Sequence, residues 1–262
     1  MIARAAATLA SVVAVLAVAA CGPAIYETPI ETPIKPKLDT SPFQRVLVVG
    51  FVAGGSEDVD ANLETVRLLR SQLRTKSSLR VIEADPVSLL DAAPAQARAQ
   101  AGAAGKPAVT LDPAALPKQI RDEKDIEAYD YLFTSPDYWK QLGEEFQGPL
   151  IVTGTVLFTP YARTGFVQRE NESVDAYGRR SVEPTKTYME RKGYILRPKF
   201  VFIDGRTGAV MHSEIFREEV LYNPNQETPA LSSYFELMDR LIPGFLGTLS
   251  SQKIRGMRVL LR

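Results

Sequence analysis

The sequence holds one cysteine, one histidine and one tryptophan in 262 residues. A single cysteine excludes a disulfide within the chain. One cysteine and one histidine cannot supply the ligand set of a Cys/His zinc site. An excess of either charge is lacking too, since 31 basic side chains balance 31 acidic ones. With no long-range field toward a phosphate backbone, nucleic acid is not an expected partner. Beyond the first twenty residues no uncharged apolar run is long enough for a transmembrane helix. What is present is ordinary globular composition, 45% hydrophobic, enough for one large domain or two small ones.

Met1–Arg4 carries one positive charge, and Ala5–Ala20 is uncharged and mostly apolar. This run is too short to span ~30 Å of hydrocarbon comfortably. A short basic region, an apolar stretch and small residues at its end instead predict a secretory signal over 1–20. The only cysteine closes it, in Val18-Ala19-Ala20-Cys21-Gly22. This resembles the lipobox of bacterial lipoproteins, apart from valine where leucine is usual. The resemblance implies acylation of Cys21 by palmitate-type chains, and Gly22 in place of aspartate implies sorting to the outer membrane. The other reading is plain cleavage after Ala19 or Ala20, with a free thiol. Residues 21–43 are proline-rich and contain the near-repeat ETPI-ETPI. They read as a lipidated, semi-rigid tether, or alternatively as an irregular arm packed on the domain.

Residues 44–262 carry the signals of one α/β domain. RVLVVGFVAG (45–54) suits a strand buried on both faces. Val59, Leu63, Val66, Leu69 and Leu73 mark one apolar helix face, and 79–83 reads as a second strand. Residues 91–118 read as an Ala/Pro-rich flexible insertion, with a helical alternative over 92–101. A helix over 120–131 precedes another opened by Ser135-Pro136. LIVTGTVLF (150–158) is a strand in which Gly154 suggests a bulge or a close backbone approach. A polar second insertion, 161–194, leads to a hairpin of strands 194–203 and 209–220. A helix from Thr228-Pro229, interrupted or ended near Pro243, and a strand over 254–261 close the chain. The expected order is β-α-β-α-β-β-β-α-β, a mixed sheet covered by helices in a single domain.

No catalytic, metal or cofactor constellation emerges. The turn GFVAGGS (50–56) lacks the Lys-Ser/Thr of a phosphate-binding loop. His212 lies beside Ser213 and Glu214, but neighbours in a strand point to opposite faces, which disfavours a triad. The acidic residues of 122–130 lack the spacing of a calcium loop and read as a solvated helix face. Between 161 and 194, Tyr161, Phe166, Tyr177 and Tyr188 stand among Arg, Lys and Glu. Aromatics and arginine are enriched at protein interfaces, so these four are the candidate partner-binding residues. An exposed hairpin with no partner is the alternative.

RVLVVGFV with its following helix, DYWKQLGEEFQGPLIVTGTV (137–156), the hairpin FVFIDGRTGAVMHSEIF (200–216) and the closing helix-strand together carry a family resemblance. The chain resembles the periplasmic lipoproteins related to the curli secretion channel (CsgG) and the penicillin-binding-protein activator (LpoB), with a design related to the amino-terminal domain of TolB. The resemblance implies a non-enzymatic scaffold or regulator at the periplasmic side of the outer membrane. It would be held there by its lipid and would bind envelope proteins or further copies of itself. A subunit of an oligomeric secretion channel and a peptidoglycan-synthase activator are the alternatives. The dense charge of 161–194 departs from a membrane-spanning hairpin. Replacement Cys21→Ala is expected to move the protein from the membrane to the soluble fraction of a cell-envelope preparation. Unchanged retention would count against the anchor.

Overall fold

The computed structural model describes residues 25–92, 117, 119–174, 177–223 and 225–261. The signal run, Cys21 and most of the Ala/Pro-rich stretch 91–118 lie outside them. The chain divides into two compact units, one spanning Lys37–Ser250 and one combining the segments up to Pro36 and from Ser251 onward.

In the larger unit, strand β2 (Arg45–Gly55) leads to helix α1 (Ala61–Lys76) and the two-residue β3 (Arg80–Val81). Asp60 caps α1 by accepting the Leu63 N–H at 2.9 Å, one of the orphan donors of a helix start. The region expected as one helix over 120–131 is a short helix α2 (Glu123–Glu127) followed by a 3-10 turn at Asp130–Thr134. Helix α3 (Pro136–Glu145) follows with Pro at its start, although Ser135 makes no side-chain cap bond. Strands β4 (Leu150–Val174) and β5 (Arg180–Asp204) each run 25 residues. The strand expected over 209–220 is two, β6 (Val210–Ile215) and β7 (Glu218–Leu221). Helix α4 (Ala230–Leu249) continues through Pro243, so this proline does not end it.

The sheet order is β3-β2-β4-β5-β6, with β7 beside β5. β2 pairs in parallel with β3 and β4, and the other pairs are antiparallel. The fold is thus a mixed α/β sheet covered by helices. On one face, Val66, Leu69 and Leu73 of α1 and Tyr234, Leu237, Leu241 and Phe245 of α4 pack on Val46, Val48, Val152, Val156, Phe200 and Phe202. On the other face, Leu47, Val49, Ile151, Val201 and Ile203 meet Leu132, Phe133 and Trp139. Central strands buried on both sides explain why 45–54 and 150–158 read as continuous apolar runs.

β2 gains one residue relative to β4 between Val48 and Phe51. This bulge turns the alternation from Val46 and Val48 to Phe51 on the same face. The polar groups it takes out of the ladder find other partners. Arg70 donates to the Val48 carbonyl at 2.7 Å, Thr153 to Gly50 O at 2.8 Å, and the Val87 N–H to Val49 O at 2.9 Å. The Phe51 N–H donates to Asn62 Oδ1 at 2.7 Å. Gly154, opposite Phe51, has φ 144°, and a Cβ there would lie 1.8 Å from Lys199 O. The close approach expected at this glycine is present.

The second unit is a two-stranded antiparallel ribbon of β1 (Ile25–Ile34) and β8 (Gln252–Leu261). Two expectations are corrected here. Much of the tether read over 21–43 is a paired strand, and the closing strand read over 254–261 pairs with it instead of entering the main sheet. The single α/β domain with a mixed sheet, read over 44–262, is present in the larger unit, which runs to Ser250. The proline-rich repeat is compatible with pairing because both ribbon strands are edges. Its four-residue period gives Pro29 and Pro33 the same ladder phase, so their missing N–H groups fall on one side.

Arg70 is buried, and burial lowers its pKa, with the nearby Arg74 charge acting in the same sense. Arg70→Met should leave the Val48 carbonyl without its donor and destabilise the larger unit by about 1–3 kcal/mol, read as a lower urea midpoint.

Candidate docking surface: the β4–β5 arm and the cleft at its root

β4 and β5 pair in unbroken register from Leu150↔Asp204 to Val174↔Arg180. β2 accompanies β4 only as far as Phe158, and β7 accompanies β5 only as far as Gly193. Past those points the two strands have no further strand neighbour among the described residues. The stretch 161–194 is therefore no separate insertion. It is the outer part of two core strands, and at ~3.4 Å per residue it projects on the order of 50 Å along the arm.

The candidate aromatics are distributed along this arm. Phe166 and Tyr188 are direct cross-strand partners with ring centroids 5.4 Å apart at 69°, an edge-on pair that stabilises a ribbon having no core beneath it. Both remain largely in water, 74% and 61% exposed. Tyr177 lies apart from them beside the turn glycine Gly178 (φ 76°), where the Arg179 guanidinium stands 5.5 Å from its ring centre. Tyr161 is half-buried at the root.

A cleft of about 760 Å³ lies at that root, lined among others by Tyr161, Tyr188, Tyr194, Tyr222, Asn223 and Gln226. Tyr194 stacks on Phe158 at 4.8 Å and 13°, so a buried core ring orients it. Tyr222 has its hydroxyl 2.9 Å from Ser233 Oγ and 3.0 Å from Glu236 Oε2. Burial, and the Glu236 carboxylate beside it, raise this phenol above its ordinary range. The structure thus joins Tyr161 and Tyr188 in one cleft and Phe166 and Tyr188 in one ring pair, with Tyr177 away from both. Tyr222, Asn223 and Gln226 are not among the residues expected from the sequence, because their loop gives no local signal that it folds against the hairpin. Cys21 lies outside the described residues.

The other polar candidates have structural partners. His212 Nε2 is 3.6 Å from Glu214 Oε2, since residues two apart in a strand share a face. That carboxylate is already engaged by Lys37 and by the Thr248 hydroxyl at 2.9 Å. Ser213 alternates to the opposite side, so no triad is assembled. In the acidic stretch, Asp122 and Asp125 form a capping box. Asp130 holds Lys199 at 2.8 Å and Glu123 holds Arg197 at 2.8 Å. No group of three or more metal-ligating side chains occurs among the described residues.

No family model and no curated protein matches the chain. Among solved structures, the PelC dodecamer from Paraburkholderia phytofirmans is 11% identical, covering 87% of this chain and 100% of that one, with a TM-score of 0.36. Lipoprotein GNA1162 from Neisseria meningitidis is 12% identical, covering 77% and 96%, with a TM-score of 0.32. A putative neuraminyllactose-binding hemagglutinin homolog from Helicobacter pylori is 10% identical, covering 83% and 88%, with a TM-score of 0.32. Likeness this distant carries no functional weight.

Burial pushes the Glu214 carboxyl up, but hydrogen bonds from Lys37 and Thr248, with the Lys37 charge, outweigh it and hold its pKa below the ordinary value. A carboxyl depressed by folding contributes stability that is present above its unfolded pKa and lost as pH falls through its folded one. Glu214→Gln should therefore cost about 1 kcal/mol at neutral pH, and the deficit should shrink toward zero in acid. Urea titrations of both proteins at the two pH values check this.

Proposed function

We propose that the chain is a lipid-anchored protein at the periplasmic face of the outer membrane. Its α/β unit is a non-enzymatic docking module, and the β4–β5 arm is its partner-binding element. The reading belongs with the curli-channel and penicillin-binding-protein-activator class of envelope lipoproteins. The observation that carries it is the exposed Phe166–Tyr188 pair on a ribbon that leaves the sheet. A two-stranded ribbon alone is marginally stable in water, and an exposed aromatic pair on it offers apolar area that a partner would cover. Tyr and Phe supply large contact area with few rotatable bonds, as anchors of an interface do. Reaction chemistry gains no such support, because Ser213 alternates to the face opposite the His212–Glu214 pair.

One observation favours a second reading, a ring of copies forming part of a secretion channel. Both edges of the arm lack a strand neighbour among the described residues and could pair edge to edge. Against it stand the charged residues along the arm, at the registers Ala162↔Lys192, Arg163↔Arg191, Thr164↔Glu190 and Gln168↔Lys186. Such a charge density is foreign to a lipid-facing strand.

Cross-linking in the native envelope, mild detergent extraction and mass measurement separate the two. A monomer or dimer joined to another envelope protein is expected. The double replacement Phe166→Ala/Tyr188→Ala should reduce that adduct at least about tenfold, the loss of one good hot-spot pair, without changing the urea midpoint of the α/β unit. A large ring of this chain alone would favour the channel, and an undiminished adduct would remove the aromatic pair from the interface.

A further inference from the structure

The β1–β8 ribbon changes character along its length. From Ile34 opposite Gln252 it runs to Ile25 opposite Leu261. At that second end, three successive registers pair Ile25 with Leu261, Tyr26 with Leu260 and Glu27 with Val259. All of these residues except Glu27 are apolar or aromatic. The next register brings Arg258 opposite Thr28. Further back, Arg255 and Lys253 pair with Glu31 at 3.0 and 3.4 Å. Apolar registers beside a tyrosine and then basic residues follow the order in which residue types meet a lipid surface. Apolar groups enter the acyl boundary, while Tyr, Arg and Lys remain at headgroup level.

Chain geometry places this end at a membrane if Cys21 is acylated. Ile25 follows Cys21 by four residues, and four residues reach at most about 14 Å even fully extended. The register then carries the same constraint to Val259, Leu260 and Leu261, which are remote in sequence but opposite Ile25–Glu27 in the ribbon.

We infer that the Ile25/Leu261 end of the ribbon is a second membrane contact. The registers that hold Ile25, Tyr26, Val259, Leu260 and Leu261 meet the lipid interface beside the anchor, and that of Arg258 lies at the level of anionic headgroups. The place of this contact in the cell rests on the lipoprotein reading, but the affinity of the ribbon for lipid does not. Its consequence is orientational. Acyl chains alone let a protein swivel, whereas a strand pair seated in the interface fixes the ribbon at two points.

The test uses the membrane-extracted protein in vesicles of phosphatidylethanolamine and phosphatidylglycerol. A tryptophan is placed by Leu260→Trp, by the conservative Tyr26→Trp as a check that the ribbon still forms, and by Ile34→Trp at the other end. The native Trp139 is fully buried and gives a constant background. Brominated lipids should quench the Leu260→Trp and Tyr26→Trp signals strongly and the Ile34→Trp signal little. Equal, weak quenching at all three positions would overturn the inference. A Cys21→Ser form should leave the envelope fraction yet still partition weakly onto the vesicles at high lipid concentration, and Leu260→Ser/Leu261→Ser within it should weaken that partition roughly tenfold or more. No measurable partition of the Cys21→Ser form at high lipid concentration would likewise overturn it. Mass spectrometry of residue 21 decides the lipoprotein reading separately. An unmodified Cys21 with vesicle binding intact removes the anchor and keeps the lipid-binding ribbon. An acylated Cys21 with unquenched probes does the reverse.

Discussion

The antiparallel ladder between β4 and β5 is the constraint on which the rest of the larger unit depends. Its inner half lies between two helical layers, where Val152, Val156, Phe200 and Phe202 are completely buried. Its outer half carries the same register into solvent without a break. A two-stranded ribbon by itself is only marginally stable in water. Here the register of the buried inner half continues outward, so the direction of the arm is set by residues far from its tip. An arm built this way is braced at its root and relies on cross-strand pairs such as Phe166–Tyr188 further out.

The core strand beside that ladder is held in an unusual way. The extra residue in β2 would leave four backbone groups without ladder partners. Arg70, Asn62 and Thr153 supply three of the missing partners and the Val87 N–H a fourth. Two of the side chains come from α1, so helix and strand are joined by hydrogen bonds as well as by apolar contact. Buried donors and acceptors are costly to strand without partners, which gives polar residues inside this helix–sheet interface a structural purpose. The Lys37–Glu214–Thr248 contacts act in a comparable way at the β6 edge of the sheet. They tie the segment entering the unit to β6 and α4, and the Leu38 N–H donates to Thr248 O at 2.9 Å in support.

Local pattern makes several elements legible in the sequence. The apolar run of β2, the helical spacing of Val66, Leu69 and Leu73, Pro136 at the start of α3 and the glycines of the β5–β6 turn all lie where the sequence suggests. Gly154 declares its close approach by being a glycine in a buried strand. The candidate site is only partly legible. Aromatic residues among charges mark the arm, but without apolar alternation 161–194 resembles a loop. Its strand character comes from the partner strand and from the core ladder that continues into it. Tyr222, Asn223 and Gln226 give no warning of the cleft, because nothing local says which part of the hairpin their loop will face.

The ribbon separates the two kinds of information most clearly. Sequence alone determined the signal-like start, the position of the only cysteine, the α/β class and the exclusion of an internal disulfide and of a Cys/His zinc site. These follow from composition and short-range periodicity, which act within a turn or a strand. Only tertiary structure decided that ETPI-ETPI is a strand and that its partner is the segment 252–261, more than two hundred residues away in sequence. The physical reason is that strand pairing is a non-local choice. An edge strand accepts any partner of matching phase, so its identity is fixed by what the rest of the chain brings alongside it.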